Sequence, residues 1–308
     1  VPLYYENRIP EVELINDDLD VDIYQKLDDA QLDAEAEREL ERQFSHQYEI
    51  LTRDDRLERI AEDIVDHYMQ RGFTQNGTPS KAMVVCIDRF TAVRMYDKVK
   101  RYWDDAIIKL RREKSGVSAI KQEEIENQIK FMRETQMAVV ISSSQNEVDD
   151  FRRRGLDISA HRQLMKKYDL DSRFKEADDP FRVVFVCAMW MTGFDVPSCA
   201  TIYLDKPMRN HTLMQTIARA NRVFREKTNG LIVDYIGIFR NLEQALSIYG
   251  SAGDTGIHPD EKPVESRAGQ VAQLAVLIEE AIDFCSSIGI DIDAILNAHN
   301  YYERINPL

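Results

Sequence analysis

The chain has 308 residues, 44% of them hydrophobic and 31% charged, with a formal net charge of −14. That is enough chain for one large or two modest domains around a sizeable core, and no apolar run reaches the ~20 residues that a membrane span requires. The four cysteines, Cys86, Cys187, Cys199 and Cys285, lie far apart without a C-x-x-C pair. This excludes a disulfide framework or a cysteine zinc site and suits reduced thiols in the cytoplasm.

The charge is unevenly spread. Residues 1–60 carry 18 acids against 7 bases, whereas residues 206–227 hold six Lys/Arg and one acid, Glu226. A local basic face decides phosphate binding more than the total does, so the acidic balance does not exclude nucleic acid. Val1 stands where an initiating Met would be, and Val1 to Tyr5 already reads as a strand. A piece of a longer polypeptide is expected.

Taken in order, residues 1–8 predict a strand and residues 11–33 an acidic loop or short helix. The acidic stretch reads first as solvated surface, and alternatively as an arm repelled from DNA or docked on a basic neighbour. Residues 34–47 form a charged helix candidate. Residues 54–70 predict an amphipathic helix, because Leu57, Ile60, Ile64 and Tyr68 recur three or four apart. Asn76-Gly77-Thr78-Pro79 predicts a turn. A buried strand follows over 81–87, then a helix over 91–112 with Val93, Tyr96, Val99, Trp103 and Ile107 on one side. Gly116-Val117-Ser118 separates it from a second helix over 119–135. Residues 137–141 predict a strand, 142–146 a polar turn, and 158–168 a helix. The basic cluster Arg152-Arg153-Arg154 reads as a solvated face.

The densest signal runs from 181 to 235. Residues 181–187 are the apolar, β-branched run of a strand buried on both faces. It ends at Met191-Thr192-Gly193-Phe194-Asp195-Val196-Pro197, where Gly193 permits a tight path and Pro197 prevents a helix from continuing. A strand over 200–204 ends at Asp205-Lys206-Pro207. Residues 211–222 predict a helix with Leu213, Ile217 and Ala220 on one side and Gln215, Arg219 and Arg222 on a common face. Residues 230–233 predict a strand closed by Asp234. Helices are expected over 238–249 and over 271–285, the latter with Val271, Leu274, Ile278, Ile282 and Cys285 as its apolar stripe; residues 250–262 read as a boundary. Strands and helices alternate from 81 to 250, which predicts a three-layer α/β lobe with a parallel sheet. The expected division is 1–80, 81–250 and 251–308.

Two arginines one helical turn apart, beside a Gln and a Gly-x-Asp loop at a strand end, can grip a phosphate chain. Guanidinium groups stay charged and offer forked donors to phosphoryl oxygens, and ligands of parallel sheets bind at strand carboxyl ends. Arg219 and Arg222 are therefore candidate catalytic groups that stabilise charge on a transferring γ-phosphoryl group.

Thr192-Gly193-Phe194-Asp195-Val196-Pro197 resembles motif V of superfamily 2 helicases. Gln215-Thr216-Ile217-Ala218-Arg219-Ala220-Asn221-Arg222 resembles their motif VI. With Tyr203-Leu204-Asp205-Lys206-Pro207, the strand at Gly230, and Tyr4-Tyr5-Glu6-Asn7-Arg8 near the start, the ensemble is similar to the motor (R) subunit of type I restriction enzymes. The resemblance covers most of residues 1–250 and implies a second RecA-like domain. It implies that ATP with Mg2+ is bound mainly by a first lobe and that Gly193, Asp195 and Gln215 lie at the ATP cleft. It further implies that Arg219 and Arg222 reach the γ-phosphate while Thr192 and Arg89 face duplex DNA. Asp88-Arg89 resembles motif IV, where many relatives carry Ser-Arg. Cys187 stands where many RNA helicases place Thr. The implied partners are duplex DNA, the methyltransferase and specificity subunits, and the first lobe and nuclease domain of the same subunit.

The sequence has no G-x-x-x-x-G-K-[ST] loop and no D-E-x-H box, so the chain alone is expected to have neither ATPase nor nuclease activity. Pro259-Asp260-Glu261-Lys262 reads as loop. Each residue also has a plainer reading. Asp195 can be a turn residue, Arg219 and Arg222 can pair with acids, Arg89 can form a surface ion pair, and Lys206 is expected as a strand-end surface charge. Met189, Trp190 and Met191 are expected to pack. The alternatives for the whole are another superfamily 2 motor, such as a repair helicase, or a non-catalytic α/β interaction module.

Overall fold

The structure is a computed structural model, and it describes residues 3–8, 45–72, 80–190, 194–208, 213, 216, 229–237, 264–288, 290 and 292. The chain divides into two compact units, Val1–Pro263 and Val264–Leu308.

In the first unit, strands β1 (Leu3–Asn7), β2 (Lys81–Cys86), β3 (Gln136–Val140), β4 (Phe181–Val186), β5 (Cys199–Asp205) and β6 (Gly230–Asp234) lie in the order β3-β4-β2-β5-β6-β1. Every neighbouring pair among them is parallel. All residues of β2, β4, β5 and β6 are buried, as their unbroken apolar runs require of a sheet covered on both faces. This is the expected RecA-like α/β lobe with flanking helices. The strand at the chain's start joins the same sheet, beside β6.

Helices α1 (Ser45–Leu51), α2 (Asp54–Gly72), α3 (Arg89–Glu113) and α4 (Ala119–Glu134) come next in chain order around β2. On α2 the predicted stripe Leu57, Ile60, Ile64 and Tyr68 is almost fully buried, each aliphatic member contributing about 1.5–3 kcal/mol through burial. It shares one core with Val93, Val99, Trp103 and Ile107 of α3 and Ile125 and Ile129 of α4, over Val84, Val139, Phe185 and Val233 of the sheet. Trp103 Nε1 donates to the Met132 carbonyl at 2.9 Å, fastening α3 to the end of α4. Ser118 caps α4 by accepting from the Lys121 amide.

Two short helices lie where the sequence reading had none, α5 (Glu147–Arg153) and α7 (Leu170–Lys175), with the expected α6 (Ser159–Lys167) between them. The turn before α5 holds Asn146 at φ 59°, a conformation Asn tolerates. The cluster Arg152-Arg153-Arg154 is exposed, as expected. Among the helices foreseen, 238–249 lies outside the described residues, as do most of 34–47 and of 211–222. Leu213 and Thr216 are described within the last of these, and both are helical and buried.

The second unit contains β7 (Val264–Ser266) and α8 (Arg267–Ser287). Of the apolar stripe foreseen on this helix, Leu274, Ile278 and Ile282 are exposed, together with Val276, Leu277 and Phe284. Among the described residues no helix is long and apolar enough to cross a membrane.

Candidate functional site

All six strands of the first unit point the same way, so their carboxyl ends share one edge. β2 leads leftward over β4 to β3, whereas β5 leads to β6 on the other side. The β2/β5 boundary is thus a switch point, the position where open parallel sheets bind ligands.

At the exit of β2, Asp88 caps α3: its Oδ1 accepts from the Thr91 amide at 2.6 Å, and its Oδ2 accepts from the Tyr48 hydroxyl. Arg89 is 2% exposed. Its Nη1 donates to Ser144 Oγ at 2.8 Å and its guanidinium lies 5.9 Å from the Phe90 ring. Arg89, read either as a DNA contact or as a surface ion pair, is thus buried rather than on the surface, and it holds the loop after β3. Arg162 ties the same loop, donating to the Ile141 and Ser142 carbonyls at 2.8 and 2.6 Å and to both oxygens of Glu147 at 2.7 Å.

At the exit of β5, Asp205 Oδ1 accepts from Arg56 Nη2 at 2.6 Å, with both side chains at most 1% exposed. Arg56 also donates to the Leu51 carbonyl at 2.9 Å and the Tyr235 carbonyl at 3.1 Å. Arg56 Nε and Asp205 Oδ2 have no hydrogen-bond partner. Burial pushes the Asp205 carboxyl above the usual carboxylate range; the Arg56 guanidinium opposes this, and Asp234 and Asp88 add to it. Lys206 is 4% exposed, and its Nζ donates to the Cys187 carbonyl at 3.3 Å. The expected surface charge is thus corrected to a buried link between the exits of β5 and β4.

At the exit of β6, Asp234 Oδ1 accepts from the Ile236 and Gly237 amides at 2.8 and 2.9 Å. Its Oδ2 accepts from the Tyr5 hydroxyl of β1 at 3.0 Å. Gly237 has φ 83°, which explains a glycine there. Beneath this edge α2 presents a polar row. Asp63 accepts from the Tyr235 hydroxyl at 2.7 Å and from Arg8. His67 Nδ1 meets the Tyr203 hydroxyl at 2.8 Å. Burial holds the His67 imidazole down at about 4, against Glu6, whose charge raises it.

At the exit of β4, Cys187 is buried with its Sγ 3.7 Å from the Ile87 carbonyl. Trp190 takes φ 65° and stacks on Phe194 at 4.1 Å, with Phe174 stacked against both. Trp190 packs as expected, whereas Met189 is 39% exposed. Asp195 is exposed between the buried Phe194 and Val196. Thr192, Gly193, Gln215, Arg219 and Arg222 lie outside the described residues, as does Met191. Thr216 is buried, with its Oγ1 3.8 Å from Met208 Sδ.

The edge thus gathers Asp88, Arg89, Asp205, Lys206 and Asp234. Sequence reasoning missed Arg56, Tyr48 and Tyr5. The signal for Arg56 was available, since Arg56, Asp63, His67 and Arg71 repeat at helical spacing beside the apolar stripe of α2.

Fold and edge together define a RecA-like α/β lobe whose strand carboxyl ends share one edge. Residues 78–237, just over half of the chain, match the family described as type I restriction enzyme subunit R domain 3, and the chain belongs to that family. It is 33% identical over 268 residues to the inferred endonuclease subunit of the type I restriction enzyme MjaIXP of Methanocaldococcus jannaschii, covering 86% of this chain and 22% of that one. It is 33% identical over 230 residues to the endonuclease subunit of the HindI type I restriction enzyme of Haemophilus influenzae, covering 74% and 19%. The chain therefore spans about a fifth of the length of these curated relatives. Among solved structures, a fragment of an inferred HsdR subunit of a type I restriction enzyme from Vibrio vulnificus aligns with TM-score 0.44 and 15% identity, over 86% of this chain and 36% of that one.

Proposed function

We propose that this chain is the second motor lobe of an ATP-dependent, DNA-translocating R subunit, acting in the cytoplasm. The observation that carries the reading is the match to subunit R domain 3 over residues 78–237, which takes in the 193–195 and 215–222 sequence segments that follow β4 and β5 in the chain. On the described part of the strand-exit edge Asp195 is exposed, whereas Arg89 and Lys206 already donate to protein acceptors. With those two cations engaged, the phosphate donors in this reading are Arg219 and Arg222, with a first lobe supplying the rest of the site.

In this reading ATP and Mg2+ supply the phosphoryl chemistry and are held mainly by that first lobe. Arg219 and Arg222 meet the γ-phosphoryl oxygens and stabilise charge as it develops. Gln215 orients that arginine face. Gly193 and Asp195 line the cleft, and Thr192 contacts duplex DNA. Arg89 serves the DNA track from within, by holding the Ser144 loop. Methyltransferase and specificity subunits direct the complex to its site, and a nuclease domain elsewhere in the subunit cleaves.

The test is ATP hydrolysis by the complete R subunit with and without duplex DNA, for wild type and Arg222→Ala. An arginine finger contributes ~10³-fold or more, so turnover should collapse while ATP binding persists. Unchanged turnover in Arg222→Ala would assign the arginine a structural part and remove the motor mechanism proposed for this lobe.

A further inference from the structure

The exit of β5 is fastened from both sides of the sheet. Successive strand residues point to opposite faces, and here both directions are used. Asp205 turns toward α2, on the side of Tyr203, and meets Arg56; Lys206 turns the other way and meets the Cys187 carbonyl at the exit of β4. Arg56 in turn gathers the end of α1 through the Leu51 carbonyl and the exit of β6 through the Tyr235 carbonyl. Three strand exits and one helix end are thereby held to a single point. The chain then passes Pro207 into the buried Met208, whose sulfur receives the Thr216 hydroxyl. Thr216 precedes Arg219 by three residues.

Stability is a poor reason for this arrangement. A buried ion pair repays its desolvation only when the remaining donors and lone pairs are also satisfied, and Arg56 Nε and Asp205 Oδ2 are not. Replacing such a pair by apolar groups of similar volume is often neutral, set here against the donors lost to the Leu51 and Tyr235 carbonyls. What an apolar pair cannot do is fix direction, because dispersion contacts lack the forked geometry of a guanidinium.

We propose that Arg56, Asp205 and Lys206 form a two-sided lock that positions the chain leaving β5 and, through Met208, Thr216, and that Arg219 and Arg222, three and six residues further along the sequence, depend on that placement for phosphoryl transfer. None of the three touches substrate, so they are positioning residues. The inference rests on the motor reading above.

The experiment uses the complete R subunit and follows DNA-stimulated ATP hydrolysis and thermal unfolding. Two variants are compared with wild type: Arg56→Met together with Asp205→Leu, and Lys206→Met alone. Misplacing a catalytic group by about 1 Å can cost ~10²-fold, so kcat should fall at least about tenfold in the double variant and less in Lys206→Met. KM for ATP should stay within about twofold in both, because binding is left to the first lobe. Wild-type kcat in both variants, with the fold retained, overturns the lock. Unfolding of the double variant at the assay temperature also overturns it, since the pair would then be a stability element. Lys206→Met removes one buried link and leaves the Arg56–Asp205 pair in place, so it reports on position at the exit of β5 separately from the pair. Failure of the motor reading looks different: wild type and Arg222→Ala would then hydrolyse ATP alike.

Discussion

β2 and β5 are neighbours in the sheet, and each leaves it through an aspartate followed by a cation, Asp88-Arg89 and Asp205-Lys206. In both, the cation reaches sideways past the neighbouring strand to the exit of the one beyond it, Arg89 to Ser144 after β3 and Lys206 to Cys187 after β4. The aspartates differ. Asp88 has a partner on each oxygen, one of them the amide three residues ahead. Asp205 has one partner, 149 positions away in sequence, and one oxygen with none. The first solves a local problem, the unsatisfied amides of a helix start. The second spends buried charge on relating distant elements.

The largest way to separate the two is to cut the distant pair. Arg56→Ala in this chain leaves the Asp205 carboxylate buried without its guanidinium, which costs about 3–5 kcal/mol. Urea unfolding at neutral pH measures it. A loss below about 1 kcal/mol would mean that water reaches Asp205 and that the two exits are equivalent after all.

The next effect sits on the same strand, at Tyr203. His67, bonded to Tyr203 and near Glu6, Asp63, Arg8 and Arg71, is held down at about 4 by burial, against about 6.5 when unfolded. Between these values the unfolded chain binds more protons than the folded one, so stability rises with pH there. The contribution is full above about 6.5 and lost as pH falls toward 4, roughly 3 kcal/mol in all. Asp205, shifted upward, slopes the other way: the folded state holds its proton more tightly, and that contribution fades as pH rises. His67→Gln should flatten the acid limb of a stability–pH curve. An acid limb as steep as wild type would place the titration elsewhere.

The same contrast explains what could be read in advance. The strands at 81, 137, 181, 200 and 230 and the helices at 54, 91 and 119 were legible, because apolar period and length settle them. Asp88 was singled out only by its likeness to motif IV, and its capping of α3 was not foreseen. Arg56–Asp205 was not legible, since a charge on a helix flank carries no mark of its partner across 149 residues. Lys206 was misjudged for a related reason: a lysine at a strand end is most often solvated, and it is the β4 exit, one strand beyond β2, that supplies the carbonyl its buried Nζ meets. α5 and α7 were missed because helices of 7 and 6 residues are too short to show a period. On α8 the helix was foreseen with its apolar stripe, but periodicity gives a face and not what covers it. The resemblance of the 192–197 and 215–222 segments carried the family, while their residues' roles depend on chemistry that sequence letters alone do not display.

The smallest effect tests the local aspartate. Asp88→Ala removes the acceptor of the Thr91 amide and the partner of Tyr48 at the positive end of α3, which costs about 1–2 kcal/mol. Asp88→Ser restores the cap acceptor, so most of that loss should return, leaving a deficit of a few tenths from the missing charge and the Tyr48 contact. Urea midpoints of the two variants, read side by side, give the answer. In the complete subunit Asp88→Ser should also hold DNA-stimulated kcat within about twofold, because a helix cap can be rebuilt by any short oxygen acceptor whereas the β5 lock depends on one forked guanidinium. If Asp88→Ser proves as costly as Asp88→Ala, the Tyr48 hydroxyl outweighs the cap. Asp88 then belongs with Asp205, as a carboxylate kept for what it joins rather than for the helix it starts.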